Sequence, residues 1–200
     1  MTSTITISGS VGGVPMSSQI SRTADGSIGQ DPSLAAAKAG TLSVRTDADS
    51  GTLALGGGHG VTTGAKFDVY WDGGSRYNMT ASTVSGNNVP FNNTGTGDDM
   101  PALNTVVTVM VHQVVDVDLD GDLLEMLGAS CKKAATILLF NDTTIHLAIQ
   151  LDANEPYEWH SGGMAANPIA GDVITHATMT HADSAAAQKV SLGILYNSTE

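Results

Sequence analysis

The fold is decided by residues 105–119, which read TVVTVMVHQVVDVDL. At a period of two, one face of this run collects the residues Val107, Val109, Val111, Val115, Val117 and Leu119. Such alternation is typical of a half-buried strand, because successive side chains point to opposite sides of a sheet. About fifteen residues is long for a single strand, so a bend or bulge is expected near His112 and Gln113.

Shorter runs of the same kind on both sides predict an all-β chain. The predicted strands include residues 2–8, 14–24, 67–71, 135–140, 145–151, 157–160, 173–180 and 190–196. Turn residues at Asp72-Gly73 and Asn141-Asp142 predict hairpins. The best helix is residues 33–39 (SLAAAKA), between a cap-like Asp31-Pro32 and Gly40, and residues 123–127 predict a helical turn.

The turn spacing divides the chain into three parts. Residues 1–40 form amino-terminal strands, or an arm, with the short helix. Frequent turns and short strands in residues 41–103 predict a small β-barrel-like module. Residues 104–200 predict a β-sandwich or jelly roll, against which residues 1–40 can pack.

The charge balance excludes two classes of partner. The net charge is −12 with only eight Lys and Arg residues, so neither a basic footprint for nucleic acid nor attraction to an anionic membrane exists. No apolar run approaches the roughly 20 residues of a membrane span. With Cys131 as the only cysteine and no secretory signal, synthesis in a cytoplasm is expected.

An acidic motif follows the long strand. Asp116, Asp118, Asp120 and Gly121 match the first half of a calcium loop, in which alternating carboxylates bind the ion and glycine permits the turn. The twelfth position is Leu127 rather than Glu, and strand precedes the motif. These departures favour a strand with an acidic solvent face that ends in a turn, and calcium, the one cofactor considered, is the alternative.

Two tryptophans lie beside carboxylates and polar groups, and Trp71 and Trp159 are the candidate ligand-binding residues. Sugar-binding surfaces use this combination, but core anchoring is the favoured interpretation in a chain with only nine aromatic residues, because large rings dominate small cores. No catalytic motif is found, because the histidines lack metal-ligand spacing and no nucleophile elbow occurs. Asp152, Glu155 and Glu158 are conceivable glycosidase carboxylates. We expect no enzyme and assign no catalytic residue.

Several segments carry a resemblance to a known class of protein. They are residues 42–53 (LSVRTDADSGTL), 67–77 (FDVYWDGGSRY), 84–90 (VSGNNVP) and the pattern of residues 135–196 with LLFND, IQLDANEPYEW, NPIAGDV and VSLGILY. This pattern resembles virion structural proteins of tailed bacteriophages, of the capsid decoration, cement or tail type. The resemblance implies a homo-oligomer, expected as a trimer, that contacts major capsid or other virion proteins.

The expected function is thus non-enzymatic stabilisation of a viral shell by a protein made in the host cytoplasm and located in the virion. The alternative is a carbohydrate- or receptor-binding β-sandwich, tail-associated and calcium-dependent, in which Trp71 or Trp159 is exposed. A jelly-roll hydrolase is a third alternative and requires two carboxylates in one cleft.

Overall fold

A computed structural model describes residues 2–11, 14–24, 26–119, 123–161, 163, 165–169 and 173–197, with the backbone alone for residues 2–23 and 123. The described chain is all-β, as predicted, and contains eighteen strands and no helix. None of its described elements is therefore a helix able to cross a membrane.

The strands have the following bounds: β1 Thr2–Val11, β2 Val14–Thr23, β3 Gly26–Gln30, β4 Ser33–Leu34, β5 Lys38–Arg45, β6 Gly51–Leu55, β7 Lys66–Trp71, β8 Gly74–Thr80, β9 Asn88–Phe91, β10 Thr96–Gly97, β11 Val106–Val111, β12 Gln113–Leu119, β13 Leu123–Cys131, β14 Ala135–Asn141, β15 Thr144–Leu151, β16 Tyr157–His160, β17 Ile174–His181 and β18 Gln188–Asn197.

Seven strands form a strongly curled sheet, which we call the half-barrel. Its order is β10-β8-β7-β11-β5-β6-β9. The curl brings the end of β9 back to the residue after β8, where Phe91 bridges Ala81. Its concave side encloses one apolar core, with fully buried residues such as Phe67, Leu53 and Met79.

Two further sheets form the β-sandwich. The four-stranded sheet has the order β12-β17-β14-β15, and the five-stranded sheet has the order β16-β13-β18-β3 with β4 also paired to β18. A second apolar core lies between them and includes Ile137, Leu139, Ile174 and Val190, all fully buried. The prediction of a β-sandwich is confirmed.

The long apolar run is divided between the two cores. It breaks at His112 into β11, which pairs with β5 and β7 of the half-barrel, and β12, which pairs with β17 of the sandwich. The predicted bend near His112 and Gln113 is therefore present. The predicted alternation holds on both sides of the break, since Val107 and Val109 enter the first core and Val117 and Leu119 enter the second.

Two helical predictions were wrong. Residues 33–39 instead form β4, a three-residue connection and the start of β5. Leu34 pairs with Gln188, and the Ala37 N–H bonds to the Asp183 carbonyl, so contacts distant in sequence override the propensity of a short segment. Residues 123–127 belong to β13, which is paired with β18 on one side and β16 on the other.

Both predicted hairpins are present. Trp71 pairs with Gly74 across a two-residue turn, where Gly73 has a φ of +85°. Asn141 pairs with Thr144 across the second turn, where Asp142 has a φ of +49°. Glycine and aspartate tolerate this left-handed region, which two-residue hairpin turns require.

Candidate assembly surface and ligand cleft

The amino-terminal strands form a separate two-stranded sheet, which we call the ribbon. β1 and β2 pair continuously from Thr2 opposite Thr23 to Val11 opposite Val14. Ten residues per strand give the ribbon a length of about 33 Å. Neither strand pairs with a strand of the other sheets, although β2 approaches β13. Because an isolated hairpin is at best marginally stable in water, such a ribbon gains from a partner.

The register gives the two faces of the ribbon different compositions. Residues directly opposite each other in an antiparallel pair share a face. Ile5 is opposite Ile20, and Val11 is opposite Val14, whereas Thr4 is opposite Ser21. One face therefore collects six aliphatic residues: Ile5, Ile7, Val11, Val14, Met16 and Ile20. The other face is occupied mainly by serine and threonine.

A row of three glycines crosses the five-stranded sheet. Gly193 in β18 is opposite both Gly29 in β3 and Gly128 in β13. An added Cβ on any of the three meets no atom within 4 Å. No described contact within the chain therefore explains why these positions lack side chains. The row lines a depression of about 220 Å³, which an approaching backbone can enter closely.

The half-barrel and the sandwich are joined by buried polar side chains, which we call the Asp68 cluster: Asp68 and Tyr70 of β7, His112, Thr136 of β14 and Thr180 of β17. The Asp68 carboxylate accepts hydrogen bonds from the Asn78 N–H at 2.8 Å, from His112 Nε2 at 2.7 Å and from Thr180 Oγ1 at 2.5 Å. Asp68 is only 1% exposed. A buried carboxylate needs this many donors, because an unpaired buried charge is strongly destabilising.

Tyr70 extends the Asp68 cluster across the junction. Its hydroxyl lies 2.9 Å from Thr136 Oγ1 and 2.6 Å from Thr180 Oγ1. Burial raises the pKa of Tyr70 far above its ordinary value, and the nearby Asp68 carboxylate adds to this shift. The hydroxyl therefore stays protonated and acts as a fixed link between the two modules.

Beside this cluster the same junction opens into a cleft of about 530 Å³, which we call the junction cleft. The half-barrel contributes Trp71, Ser75 and Asp98, and the sandwich contributes Gln150 and Asp152. The remaining lining residues are Tyr70, Gly73, Gly74, Ala134, Ala135, Leu151, Ala153 and Ala182. The volume lies within the range usual for small-molecule sites.

Trp71 and Trp159 have different environments. Trp71 is half-buried in the junction cleft, with its indole ring against Gly74. Trp159 is 9% exposed in the sandwich core, and its indole N–H donates to the Ala165 carbonyl at 3.2 Å. The structure thus places Trp71, but not Trp159, on the lining of the junction cleft.

The predicted calcium residues are described in part. Asp116 and Asp118 are exposed on β12, whose pairing with β17 is irregular between Asp116 and Leu119. Asp120 lies outside the described residues. Among the described residues, no group of three or more His, Cys, Asp or Glu side chains is arranged to hold a metal ion.

The Asp68 cluster is not predictable from local sequence, because its members come from positions as far apart as 68 and 180. One signal was present, namely a carboxylate inside the strand run FDVYW, where a buried charge requires partners. For His112 the sequence predicts a bend and no metal-ligand spacing, and no neighbouring residue indicates a pairing with Asp68. Asp152 was considered as a glycosidase carboxylate, and it does line a cleft, but Glu155 and Glu158 do not line that cleft.

The ribbon and the junction cleft, together with the glycine row, are described features that could engage another molecule. The first presents paired strands, and the second presents an aromatic ring among carboxylates and amides. The chain matches no protein-family model, no curated protein and no solved structure.

Proposed function

We propose that this protein is a non-enzymatic virion structural protein of the capsid decoration or cement type, which assembles as a homo-oligomer through its ribbon. The observation that carries the proposal is the ribbon itself, a sheet of two strands whose outer edges pair with no other described strand. An unpaired strand edge offers backbone donors and acceptors to a neighbouring chain, so another subunit can add a strand to it.

The composition of the ribbon supports this role. A face with six aliphatic residues gains free energy by burial against a neighbour, while the face rich in serine and threonine remains compatible with water. A specific interface buries roughly 1,600 Å² in total. Repetition by particle symmetry then multiplies modest contacts into stable attachment.

The glycine row offers a second contact surface. In the proposed assembly a neighbouring chain lies close to Gly193, and a side chain there would hold it away. Since the space above Gly193 is open, Gly193→Val should leave the isolated subunit folded and equally or slightly more stable. Loss of assembly without loss of folding would support contact at this row.

The direct test is the mass of the full chain by light scattering, with electron microscopy of any assembled material. The proposal predicts a closed symmetric oligomer, with a trimer as the expected state. Deletion of residues 2–23 should give monomers whose half-barrel and sandwich still unfold cooperatively, because the described side chains of both cores come from residues 28–196.

A matched pair of variants tests the face rather than the whole ribbon. Replacing Ile5, Ile7 and Ile20 by threonine keeps a high strand propensity and should abolish assembly. Replacing Thr4 and Thr6 by valine, on the opposite face, should not. A monomeric full chain, or assembly that survives the deletion, would contradict the proposal. A measurement in EDTA completes the test, since dissociation by the chelator would assign assembly to a metal instead.

A further inference from the structure

We propose that the junction cleft binds a neutral saccharide, with Trp71 as the platform on which a sugar ring stacks. The inference does not rest on the proposed virion function, because the described lining residues of the cleft belong to the half-barrel and the sandwich. It follows from four features of the lining: the ring, the hydrogen-bonding groups, the small residues and the charge.

The Trp71 ring lies against its own hairpin and packs on the half-barrel core, and it remains half-buried. An added Cβ on Gly74 would lie 2.8 Å from three indole atoms of Trp71, so glycine at this position is what lets the ring lie flat against the backbone. The indole N–H has no hydrogen-bond partner in the described part of the chain. It is therefore available to a ligand hydroxyl, unlike the indole N–H of Trp159.

The hydrogen-bonding groups suit hydroxyls. Asp152 has an exposed carboxylate with no side-chain partner among the described residues. Asp98 uses one oxygen to accept the Ser75 N–H at 3.0 Å and has further acceptor capacity. Gln150 Nε2 reaches Ser75 Oγ across the cleft at 3.5 Å, a long contact that a ligand can replace. The set combines acceptors with an amide and a hydroxyl that both donate and accept.

The remaining lining residues leave room for a bulky ring. Six of them are glycine or alanine: Gly73, Gly74, Ala134, Ala135, Ala153 and Ala182. The two walls of the cleft are also tied together. Tyr70 lines the half-barrel wall and Ala135 lines the sandwich wall, and the Tyr70 hydroxyl bonds to Thr136, the neighbour of Ala135. A cleft organised before binding loses less entropy when a ligand enters.

The charge selects the class of saccharide. The described lining contains the two carboxylates Asp98 and Asp152 and no Lys or Arg, in a chain of net charge −12. Uronic and sialic acids, sulfated sugars and phosphates are therefore repelled. A quaternary ammonium ligand fits less well, since it is usually surrounded by several aromatic faces. Here Tyr70 is 5% exposed, which leaves Trp71 as the available ring.

The test is titration of the full chain with a panel of neutral oligosaccharides, acidic oligosaccharides and choline, followed by tryptophan fluorescence and calorimetry. At least one neutral member should bind and change the fluorescence of Trp71. Trp71→Ala should weaken that binding by about tenfold or more, and Asp152→Asn should weaken it less. Asp72→Asn, an exposed carboxylate next to Trp71 that does not line the cleft, is the matched control and should bind normally.

Several results would overturn the inference. They are no binding by any neutral member of the panel, tighter binding of choline or of acidic sugars, or unchanged affinity in Trp71→Ala. Proton NMR of each variant establishes that it is folded. The same titration on the chain lacking residues 2–23 separates the two proposals, because saccharide binding should persist when assembly is lost.

Discussion

The junction between the half-barrel and the sandwich has a closed part and an open part. In the Asp68 cluster, buried polar groups of both modules are paired with each other, and the Asp68 carboxylate alone accepts three hydrogen bonds. In the junction cleft, the exposed side chains of Asp152 and Gln150 make at most one long contact. The same pair of modules thus uses polar residues for cohesion in one place and leaves them accessible in the other.

The polar residues of the closed part and those of the open part should have different roles. Polar residues in a buried, fully paired cluster have no capacity left for a ligand, so their effect on the molecule is on stability. Polar residues in an open cleft contribute little to stability, because water satisfies them, and they keep capacity to bind a ligand. Substitutions in the Asp68 cluster should therefore lower the free energy of unfolding much more than substitutions of the polar residues in the junction cleft.

The largest effect is expected for Asp68→Ala. The change leaves His112, Thr180 and the Asn78 N–H without their buried acceptor, and the free energy of unfolding should fall by about 3–5 kcal/mol. Urea unfolding measures this loss, with the exposed Asp116→Ala as control, expected within about 0.5 kcal/mol of the parent. A loss below about 1 kcal/mol would show that the Asp68 cluster does not hold the modules together.

A smaller loss is expected for Tyr70→Phe, which removes only the hydroxyl between Thr136 and Thr180. With two buried partners left short of a hydrogen bond, unfolding free energy should fall by about 1–2 kcal/mol. Tyr77→Phe, at a half-buried tyrosine of the same hairpin, serves as the control. An equal loss of unfolding free energy in the two variants would show that the Tyr70 hydroxyl does not stabilise the junction.

The pH dependence of stability tests His181, which lies in sequence between Thr180 of the cluster and Ala182 of the cleft. Burial lowers the pKa of His181, although carbonyl oxygens of Ala35 and Leu34 and the charge of Asp183 act in the opposite direction. Its Nδ1 accepts the Asp183 N–H at 3.1 Å, and its Nε2 lies 3.0 Å from the Ala35 carbonyl oxygen. The folded protein thus holds the neutral ring.

Because the unfolded chain binds this proton more readily, the stabilising contribution is present above pH about 6.5 and decreases as the pH falls towards the lowered pKa. The loss is at most about 1.4 kcal/mol per pH unit for this one group. Unfolding free energies measured between pH 7 and pH 5 give this loss. In His181→Gln the unfolding free energy should depend less on pH over the same range. An unchanged slope in that variant would assign the acid sensitivity to other groups.

The smallest effect on stability is expected in the cleft. Asp152→Asn and Gln150→Ala remove exposed groups, and each should change unfolding free energy by less than about 0.5 kcal/mol. The same urea series measures both. If either costs as much as Tyr70→Phe, the contrast between the closed and open parts of the junction disappears, and the cleft residues would have a structural role.

Much of the fold could be predicted from local pattern. Period-two alternation located most of the strands that follow residue 40, and the turn residues located the two tight hairpins, because both signals arise from neighbouring side chains. The failures were the segments 33–39 and 123–127, where alanine, leucine and glutamate favour helix. Pairing with distant strands decided both: residues 33–34 and 123–127 pair with β18, and residues 38–39 pair with β11, each more than 60 residues further along the chain.

The features of the candidate sites also fall into those that local sequence predicts and those that depend on tertiary structure. The sequence by itself determined that the chain is all-β, that it is acidic and that Trp71 stands in a hairpin beside polar groups. Only the tertiary structure decided that Trp159 is enclosed in a core, that Asp68 meets His112 and Thr180, and that Asp152 faces the same cleft as Trp71. The physical reason is that alternation and turn chemistry act within a few residues, whereas burial, charge pairing and clefts depend on which distant strands become neighbours.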